Sequence, residues 1–533
     1  MRSPVELKGK PASRGIFAGP LIRIACEAGA RIHSGSEAGE RDALDTAIAE
    51  AIGELSELAA KIGGEGADML AFQIAMLEDD ALKAPAFAAI EAGSAADEAW
   101  TGALEGEIAG YDASEDEYFK ARAADLRDLR DRVLKHLSGS SIETGSGGMI
   151  LAGEDVPPTL FLETDWSRGG AIALTSGSAS SHVAMLARAR GVPMVVGLGP
   201  FELNGHDEAI VDGESGMLLL SPGRATAEMW KVRAASLAIE QAREREFLQR
   251  PAVSADGVKI EVLVNVAGVD ELEHIDIETC DGIGLMRTEF LFRDGAPLPG
   301  EDEQFTAYRR FLEWAKGKPV TIRTLDIGGD KPIRGLTPDG ETNPFLGLRG
   351  IRLMLARRDV FRTQLRALAR AALHGQLKVM LPMVTIPLEL AEAGREFADA
   401  LDSLNDKGIA CAMPPLGIMV EVPAVAIVPE MFASAAFFSI GSNDLTQYVT
   451  ASSRDSSEVA ALNDPSHPAV IRLITRVARF GRENGIPVSL CGDMASEPAH
   501  IGALLKAGIR SLSVAPAGLA RVKATIAEIR VGA

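Results

Sequence analysis

One histidine is placed where it could act as a nucleophile. His182 lies in the segment TSGSASSHVAMLARARGVPMVVG, residues 175 to 197. Ser180 or Ser181 can cap a helix that runs to about Arg190, stops at Gly191 and passes through Pro193 into the strand MVVG. His182 therefore opens a helix. The free N–H groups and the positive dipole end found there favour a phosphoryl group on an imidazole nitrogen. A polar histidine at the start of an ordinary surface helix fits the same residues.

A second set of candidates recurs just after apolar, strand-like runs. In GIGLMRTEFLF, Arg287 follows the run; in TIRTLDIGGDK, Arg323 and Lys331 do; in NPFLGLRGIR, Arg349 opens the next helix. Four cations gathered on one rim suit a small polyanion, because guanidinium groups pair with phosphate and carboxylate in bidentate fashion. Any one of these arginines can instead pair with a nearby carboxylate such as Glu289 or Asp326. GIMVEVPA supplies Glu421, and FFSIGSNDLTQY supplies Asn443 and Asp444. Two carboxylates on adjacent strand ends form a hard-oxygen site of the sort Mg2+ prefers, with room for substrate oxygens. A capping role for Asp444 is the bland alternative. SLCGDM places Cys491 on the same rim, either as a buried structural thiol or as a proton donor to an enolate carbon.

The elements that must position these residues follow from periodicity. Residues 11 to 25 (PASRGIFAGPLIRIA) predict a short strand after a glycine-bearing opening. From about Glu37 to Leu137, apolar residues recur at helical spacing, as in Leu44, Ile48, Ile52, Leu55 and Leu58. Glycine and serine at 138 to 148 end this helical region, and short β runs follow from MILAG to about Pro222. Residues 224 to 250 lack Gly and Pro and read as an exposed connecting helix. Beyond Pro251, eight strand-like runs (KIEVLVNV, GIGLMRT, VTIRTLD, KVMLPMV, GIMVEV, FFSIGS, VSLCGD and SLSVAP) alternate with amphipathic stretches. Eight β/α units in about 280 residues match a TIM barrel, whose active sites lie at the C-terminal ends of the strands.

Composition narrows the function classes. At 533 residues with 47% hydrophobic content, several cores are expected. Fifty-four basic against 75 acidic residues give a net charge of −21, which disfavours nucleic acid and anionic membrane as partners. Four scattered cysteines without a C-x-x-C pair suggest neither disulfides nor zinc, and fit a reducing compartment. With no signal-like N-terminus and no long uncharged apolar run, a cytoplasmic protein without membrane insertion is expected.

GSASSH followed by VAMLAR resembles the phosphohistidine motif of Enzyme I of the bacterial phosphotransferase system, pyruvate phosphate dikinase and phosphoenolpyruvate synthase. Ser178 and Ala179 stand where many Enzymes I have glycine and arginine. GIGLMRTEFLF, IRTLDIGGDKP, NPFLGLRGIR, GIMVEVPA, FFSIGSNDLTQY and SLCGDM resemble the Enzyme I barrel in order and spacing. PASRGI, IAMLEDDAL and EYFKARAADLRD extend the similarity over nearly the whole chain and set it apart from the dikinase and synthase relatives, which also carry an ATP-binding domain. ASSRDS and LNDPSHPAV depart from the common pattern and, with GSASSH, are similar to the nitrogen-related branch. No segment resembles the N-terminal sensor domain typical of that branch, so the resemblance leaves the sugar-transport and nitrogen-related branches both open.

The resemblance implies an α/β multidomain protein. A swivelling β/α/β phosphohistidine domain (1–32 and 139–223) would carry an inserted helical carrier-binding subdomain (33–138). A linker helix (224–250) would join it to a phosphoenolpyruvate-binding (β/α)8 TIM barrel (251–533). It implies a phosphoenolpyruvate-protein phosphotransferase that phosphorylates His182, releases pyruvate and passes the group to an HPr-like phosphocarrier docked near Glu78, Asp79 and Asp80. Arg287, Arg323, Lys331, Arg349, Asn443 and Arg454 would hold phosphoenolpyruvate, Glu421 and Asp444 would bind Mg2+, and Cys491 would protonate the enolate. It further implies a homodimer through the barrel, and a hinge motion that brings His182 to the substrate and away again. The residues alone leave two other readings open: a lyase that uses the barrel without the histidine, and a non-catalytic regulator that binds a phosphorylated carrier.

Overall fold

The structure is a computed structural model that describes residues 4–24, 31, 33–62, 64–112, 117–139, 147–177, 181–201, 205–292, 297–328, 333, 335–338, 341–453 and 459–532. A few of these, His182 among them, are described for the backbone only. The chain forms two compact units, Met1–Glu240 and Gln241–Ala533.

The first unit is built on an eight-stranded mixed sheet: β1 (Val5–Lys8), β2 (Lys10–Ser13), β3 (Ile16–Arg23), β4 (Met149–Gly153), β5 (Gly170–Leu174), β6 (Met194–Val196), β7 (Glu208–Asp212) and β8 (Met217–Leu220). Their spatial order is β1-β8-β7-β3-β4-β5-β6-β2. Strands β3 to β6 are parallel, and β4 and β5 are buried along their whole length. That explains their unbroken apolar runs, MILAG and GAIAL. Where the sequence suggests one strand near the N-terminus, the structure has three. Pro11 and the exposed Lys8 and Lys10 mask β1 and β2, which sit at the two edges of the sheet and need no alternating pattern.

Between β3 and β4 run five helices: α1 (Glu37–Ile62), α2 (Gly64–Glu78), α3 (Asp80–Glu91), α4 (Ala96–Asp112) and α5 (Glu117–Ser138). Their core, centred on the fully buried Trp100, Leu44 and Leu55, continues into Ile172 and Leu174 of β5 and into Val183. Helices and sheet thus share one hydrophobic interior. Polar contacts reinforce the junction: Arg132 pairs with Glu54 and Glu163, and Asp128 accepts hydrogen bonds from the hydroxyl and backbone N–H of Thr159.

Glu40, in the first turn of α1, ties the preceding loop to the start of α4 by accepting from the backbone N–H groups of Ser34 (2.6 Å) and Ala96 (2.9 Å) and from Arg31 (2.5 Å). Burial alone would raise its pKa, but the hydrogen bonds from Ala96, Ser34 and Arg31 outweigh this and lower it to about 2. A carboxylate depressed in the folded state stabilises fully above its unfolded value, and that contribution is lost as pH falls from about 4.5 toward 2. Glu40→Gln is therefore expected to melt about 2–4 °C lower at neutral pH, and to lose less further stability between pH 5 and 2 than the parent chain. Calorimetry across that range checks this; parallel curves would assign the acid sensitivity to other carboxylates.

The short helix α6 (Pro158–Glu163) precedes β5. Helix α7 (His182–Arg190) connects β5 to β6, and α8 (Arg224–Arg245) follows β8. The second unit is a closed parallel barrel of β9 (Glu261–Val266), β10 (Ile283–Met286), β11 (Val320–Arg323), β12 (Leu377–Leu381), β13 (Leu416–Val420), β14 (Phe438–Ile440), β15 (Val488–Leu490) and β16 (Ser511–Val514). Each of the eight apolar runs coincides with one of these strands, β12 and β13 beginning one residue before KVMLPMV and GIMVEV. Amphipathic helices such as α9 (Glu301–Trp314), α10 (Ile351–Ala356), α11 (Arg358–Ala371) and α12 (Pro387–Asn405) cover the barrel, as do α13 (Pro423–Ile427), α14 (Ser442–Thr450), α15 (Pro468–Asn484), α16 (Pro498–Lys506) and α17 (Leu519–Glu528). Among the described residues no helix is long and apolar enough to cross a membrane.

Candidate functional site

His182 is the first residue of α7. Ser181 is its N-cap, its hydroxyl accepting from the Ala184 N–H at 3.2 Å, and Gly191 ends the helix in the left-handed conformation (φ 67°). The cap and stop read from the sequence are both present. The His182 side chain, and with it any contact of the imidazole, lies outside the described residues, as do Lys331 and Arg454.

In the barrel, the remaining candidates meet at the C-terminal ends of successive strands. Arg287 follows β10, Arg323 ends β11, Glu421 follows β13, Asn443 and Asp444 open α14 after β14, and Cys491 follows β15. With Arg349, all of them line one cavity of about 80 Å³. Arg349 does not open a helix directly, since Gly350 intervenes before α10. Gly350 takes φ 58°, and a Cβ there would lie 3.0 Å from Met383 and 3.3 Å from the Asp326 carboxylate. Only glycine lets the chain turn at that point without crowding the site.

Inside the cavity the cations are not free of carboxylates. Arg323 pairs with Asp326 at 2.8 Å and Glu289 at 3.0 Å. Arg349 binds both oxygens of Asp326 at 3.0 Å and both oxygens of Asp444 at 3.1–3.2 Å. For Arg323 and Arg349 the sequence alternative of pairing with neighbouring acids is therefore realised in this state. Both arginines are buried, and although desolvation works against the charge, these carboxylates raise their pKa values further. Arg287 is half-buried on the same cavity wall, and no hydrogen bond or ion pair of its side chain is seen among the described residues.

Glu421 is buried, with Oε1 accepting from the Met383 N–H at 2.6 Å and Oε2 without a partner among the described residues. Met383 presents that N–H from a left-handed backbone (φ 58°), an unfavourable conformation for a side chain of its size. Burial, followed by the charges of Asp444 and Asp326, pushes the Glu421 carboxyl up to about 8 despite Arg349 and Arg323. An orphaned carboxylate oxygen beside a second carboxylate suits a divalent cation. Among the described residues no three His, Cys, Asp or Glu side chains form a self-sufficient metal cage. Mg2+ does not need one, because it is commonly held by one or two carboxylates, substrate phosphate and water.

Cys491 is buried against Leu285, Met380, Met419 and Phe437, its thiol donates to the Ile440 carbonyl at 3.6 Å, and the residue is part of the cavity lining. Burial raises its pKa to about 11, so it carries a proton at neutral pH.

Three features escaped sequence reasoning. Tyr448 donates to the Phe345 carbonyl at 2.6 Å and approaches Arg349 at 3.4 Å; its spacing of four from Asp444 on α14 was the available signal. Asp493 and Asn443 exchange two hydrogen bonds of 2.9 Å, joining the Cys491 loop to α14. Gly492 lies so close to α14 that an added Cβ would sit 1.9 Å from the Ser442 hydroxyl, so no side chain fits there.

Known families match along the chain in three stretches: the N-terminal region of PEP-utilising enzymes at residues 8–122, their mobile domain at 145–216 and their PEP-binding domain at 241–531. The phosphoenolpyruvate-protein phosphotransferase of Bacillus sp. (strain S) is 38% identical over 431 residues, spanning 79% of this chain and 74% of the relative. Those of Bacillus subtilis (strain 168) and Cupriavidus necator are each 34% identical, over 98% of this chain and 94% of their own length. With a matching family model over more than half of its length and relatives spanning nearly all of it, this chain is an enzyme that belongs to the PEP-utilising family, among the phosphoenolpyruvate-protein phosphotransferases.

Proposed function

We propose that the chain transfers the phosphoryl group of phosphoenolpyruvate to its own His182, releases pyruvate, and passes the group on to an HPr-like histidine phosphocarrier. The observation that carries this reading is one cavity lined by buried arginines, a carboxyl with an unsatisfied buried oxygen and a buried cysteine. Arg287, Arg323 and Arg349 hold the phosphate and carboxylate, and Asn443 supplies an amide N–H; Lys331 and Arg454 complete the set by resemblance to the family. Glu421 and Asp444 would hold Mg2+, which when bound neutralises phosphate charge.

In the transfer, a neutral imidazole nitrogen of His182 bonds to phosphorus as the phosphorus–enol oxygen bond breaks. The enolate left behind takes a proton at carbon from the Cys491 thiol, which regains one from solvent. The opening of α7 suits the phosphohistidine, because the first backbone N–H groups of a helix have no carbonyl partner within it and its dipole end favours the added negative charge. For the carrier, an acidic surface is at hand. Glu78 ends α2, Asp79 caps α3, and Asp80 is almost fully exposed beside it. A homodimer through the barrel belongs to the same proposal, and sedimentation with substrate and metal present tests it.

The direct experiment incubates the purified chain with 32P-labelled phosphoenolpyruvate and Mg2+, then assays acid-labile protein phosphate and pyruvate. Stoichiometric labelling is expected; its absence in a folded, metal-loaded protein would overturn the reading. Cys491→Ala is expected to lower kcat for pyruvate formation by about 10²–10⁴ while KM stays within about threefold, because proton delivery is lost and the cationic clamp is not. Steady-state kinetics decide the point. An unchanged kcat would leave the thiol only its packing role.

A further inference from the structure

The pairing of Arg349 has a consequence for ligand binding. A guanidinium has five N–H donors, and here Nε and Nη2 go to Asp326, Nη1 and Nη2 to Asp444, and Nη1 also to the Tyr448 hydroxyl. Arg349 has no donor to spare for a phosphate while it holds Asp444. Asp444, in turn, has both oxygens engaged by Arg349. We propose that the Arg349–Asp444 pair is a latch that couples metal and substrate, so that each binds weakly alone and tightly when the other is present. This rests on the reading of the cavity given above, in which Asp444 is a metal ligand and Arg349 a substrate ligand.

The physical argument concerns what each partial opening leaves behind. An anion that draws Arg349 away without a metal strands a buried carboxylate near Glu421 and Asp326. Stranding a buried charge is strongly unfavourable. A metal that takes Asp444 without the anion leaves a divalent cation facing an arginine whose donors on that side are unsatisfied. When both ligands enter, the partners exchange. Asp444 turns to the metal and the released N–H groups of Arg349 turn to the phosphate, so no buried charge stays unpaired. Asp326 keeps Arg349 in place meanwhile, because it is held from the other side by Arg323 at 2.8 Å. Arg323 makes no contact with Asp444 and so serves as an internal control.

The test uses Mn2+ and 2-phosphoglycolate, an inert carboxylate-phosphate, titrated calorimetrically into the full chain separately and together. In the unaltered chain each probe is expected to tighten the other by about tenfold or more, equally in both directions. Arg349→Lys keeps the charge but cannot span both carboxylates. It is expected to bind Mn2+ alone about tenfold more tightly than the unaltered chain, whereas Arg323→Lys changes that affinity by less than about threefold. Independent binding of the two probes by the unaltered chain overturns the latch, as does equal tightening of Mn2+ in the two variants. Independent binding in the unaltered chain overturns the latch however the variants fold. Coupling there would also follow from direct ligation of the metal by phosphate, and the tighter Mn2+ binding of Arg349→Lys assigns it to the latch. If the unaltered chain binds neither probe, the proposed function itself fails, an outcome distinct from binding without coupling.

Discussion

Exchange of His182 for alanine is expected to reduce phosphoenolpyruvate-dependent labelling of the chain to background while leaving its melting behaviour intact. The variant lacks the only proposed phosphoryl acceptor, so the loss is complete rather than graded. Stability is expected to change by no more than about 0.5 kcal/mol. The residues that fix α7 are its Ser181 cap and its Gly191 stop, both untouched, and alanine is the best helix former. Binding of phosphoenolpyruvate with Mg2+ should also persist. His182 belongs to the first unit, whereas every described wall of the cavity belongs to the second. Three measurements therefore separate the possibilities: acid-labile phosphate, calorimetric melting and substrate binding. A folded variant that still acquires stoichiometric phosphate would transfer the acceptor role to another residue. A variant that loses substrate binding as well would show that the histidine does more than accept the group.

Much of this arrangement could be read from the chain because its chemistry sits at element boundaries. A parallel barrel covered by helices buries most of both faces of its strands, so runs such as VML of β12 and GIMV of β13 stand out as unbroken apolar segments. Residues just beyond them, such as Glu421 and Cys491, fall on one rim by topology alone. The helix at His182 was legible for a similar reason, since a serine cap and a left-handed glycine stop are local signals. What could not be read is the partnering inside the cavity. Arg349 reaches back 23 positions to Asp326 and forward 95 to Asp444, and no local pattern encodes such contacts. The support of Glu421 was equally silent, because it comes from the backbone of Met383 in a conformation that no methionine advertises. The two short N-terminal strands were missed because edge position and exposure remove the alternation by which strands are recognised.

Glu421→Gln separates a metal-binding role from a structural one more cleanly than any other single change in the barrel. Glutamine has nearly the same shape, and its amide oxygen can still accept from the Met383 N–H now bound by Oε1 at 2.6 Å. The Oε2 position has no partner among the described residues, so putting an amide there breaks no observed bond. The folded chain is also relieved of a carboxyl whose ionisation is opposed by burial and by Asp444 and Asp326. The melting temperature is therefore expected to stay the same or rise. Function should move the opposite way. The substitution replaces a carboxyl that becomes an anionic hard-oxygen donor on yielding its proton to a metal by an amide that stays neutral, so metal affinity falls and turnover with phosphoenolpyruvate is expected to drop by about 10²–10⁴. Cys491 and the arginines are unaltered, which confines the loss to the metal. A purely structural carboxylate predicts the reverse pattern, lower melting with turnover preserved. Calorimetry and initial rates across a Mg2+ titration on the same preparation distinguish the two, and partial recovery of turnover at saturating metal would identify affinity as what was lost.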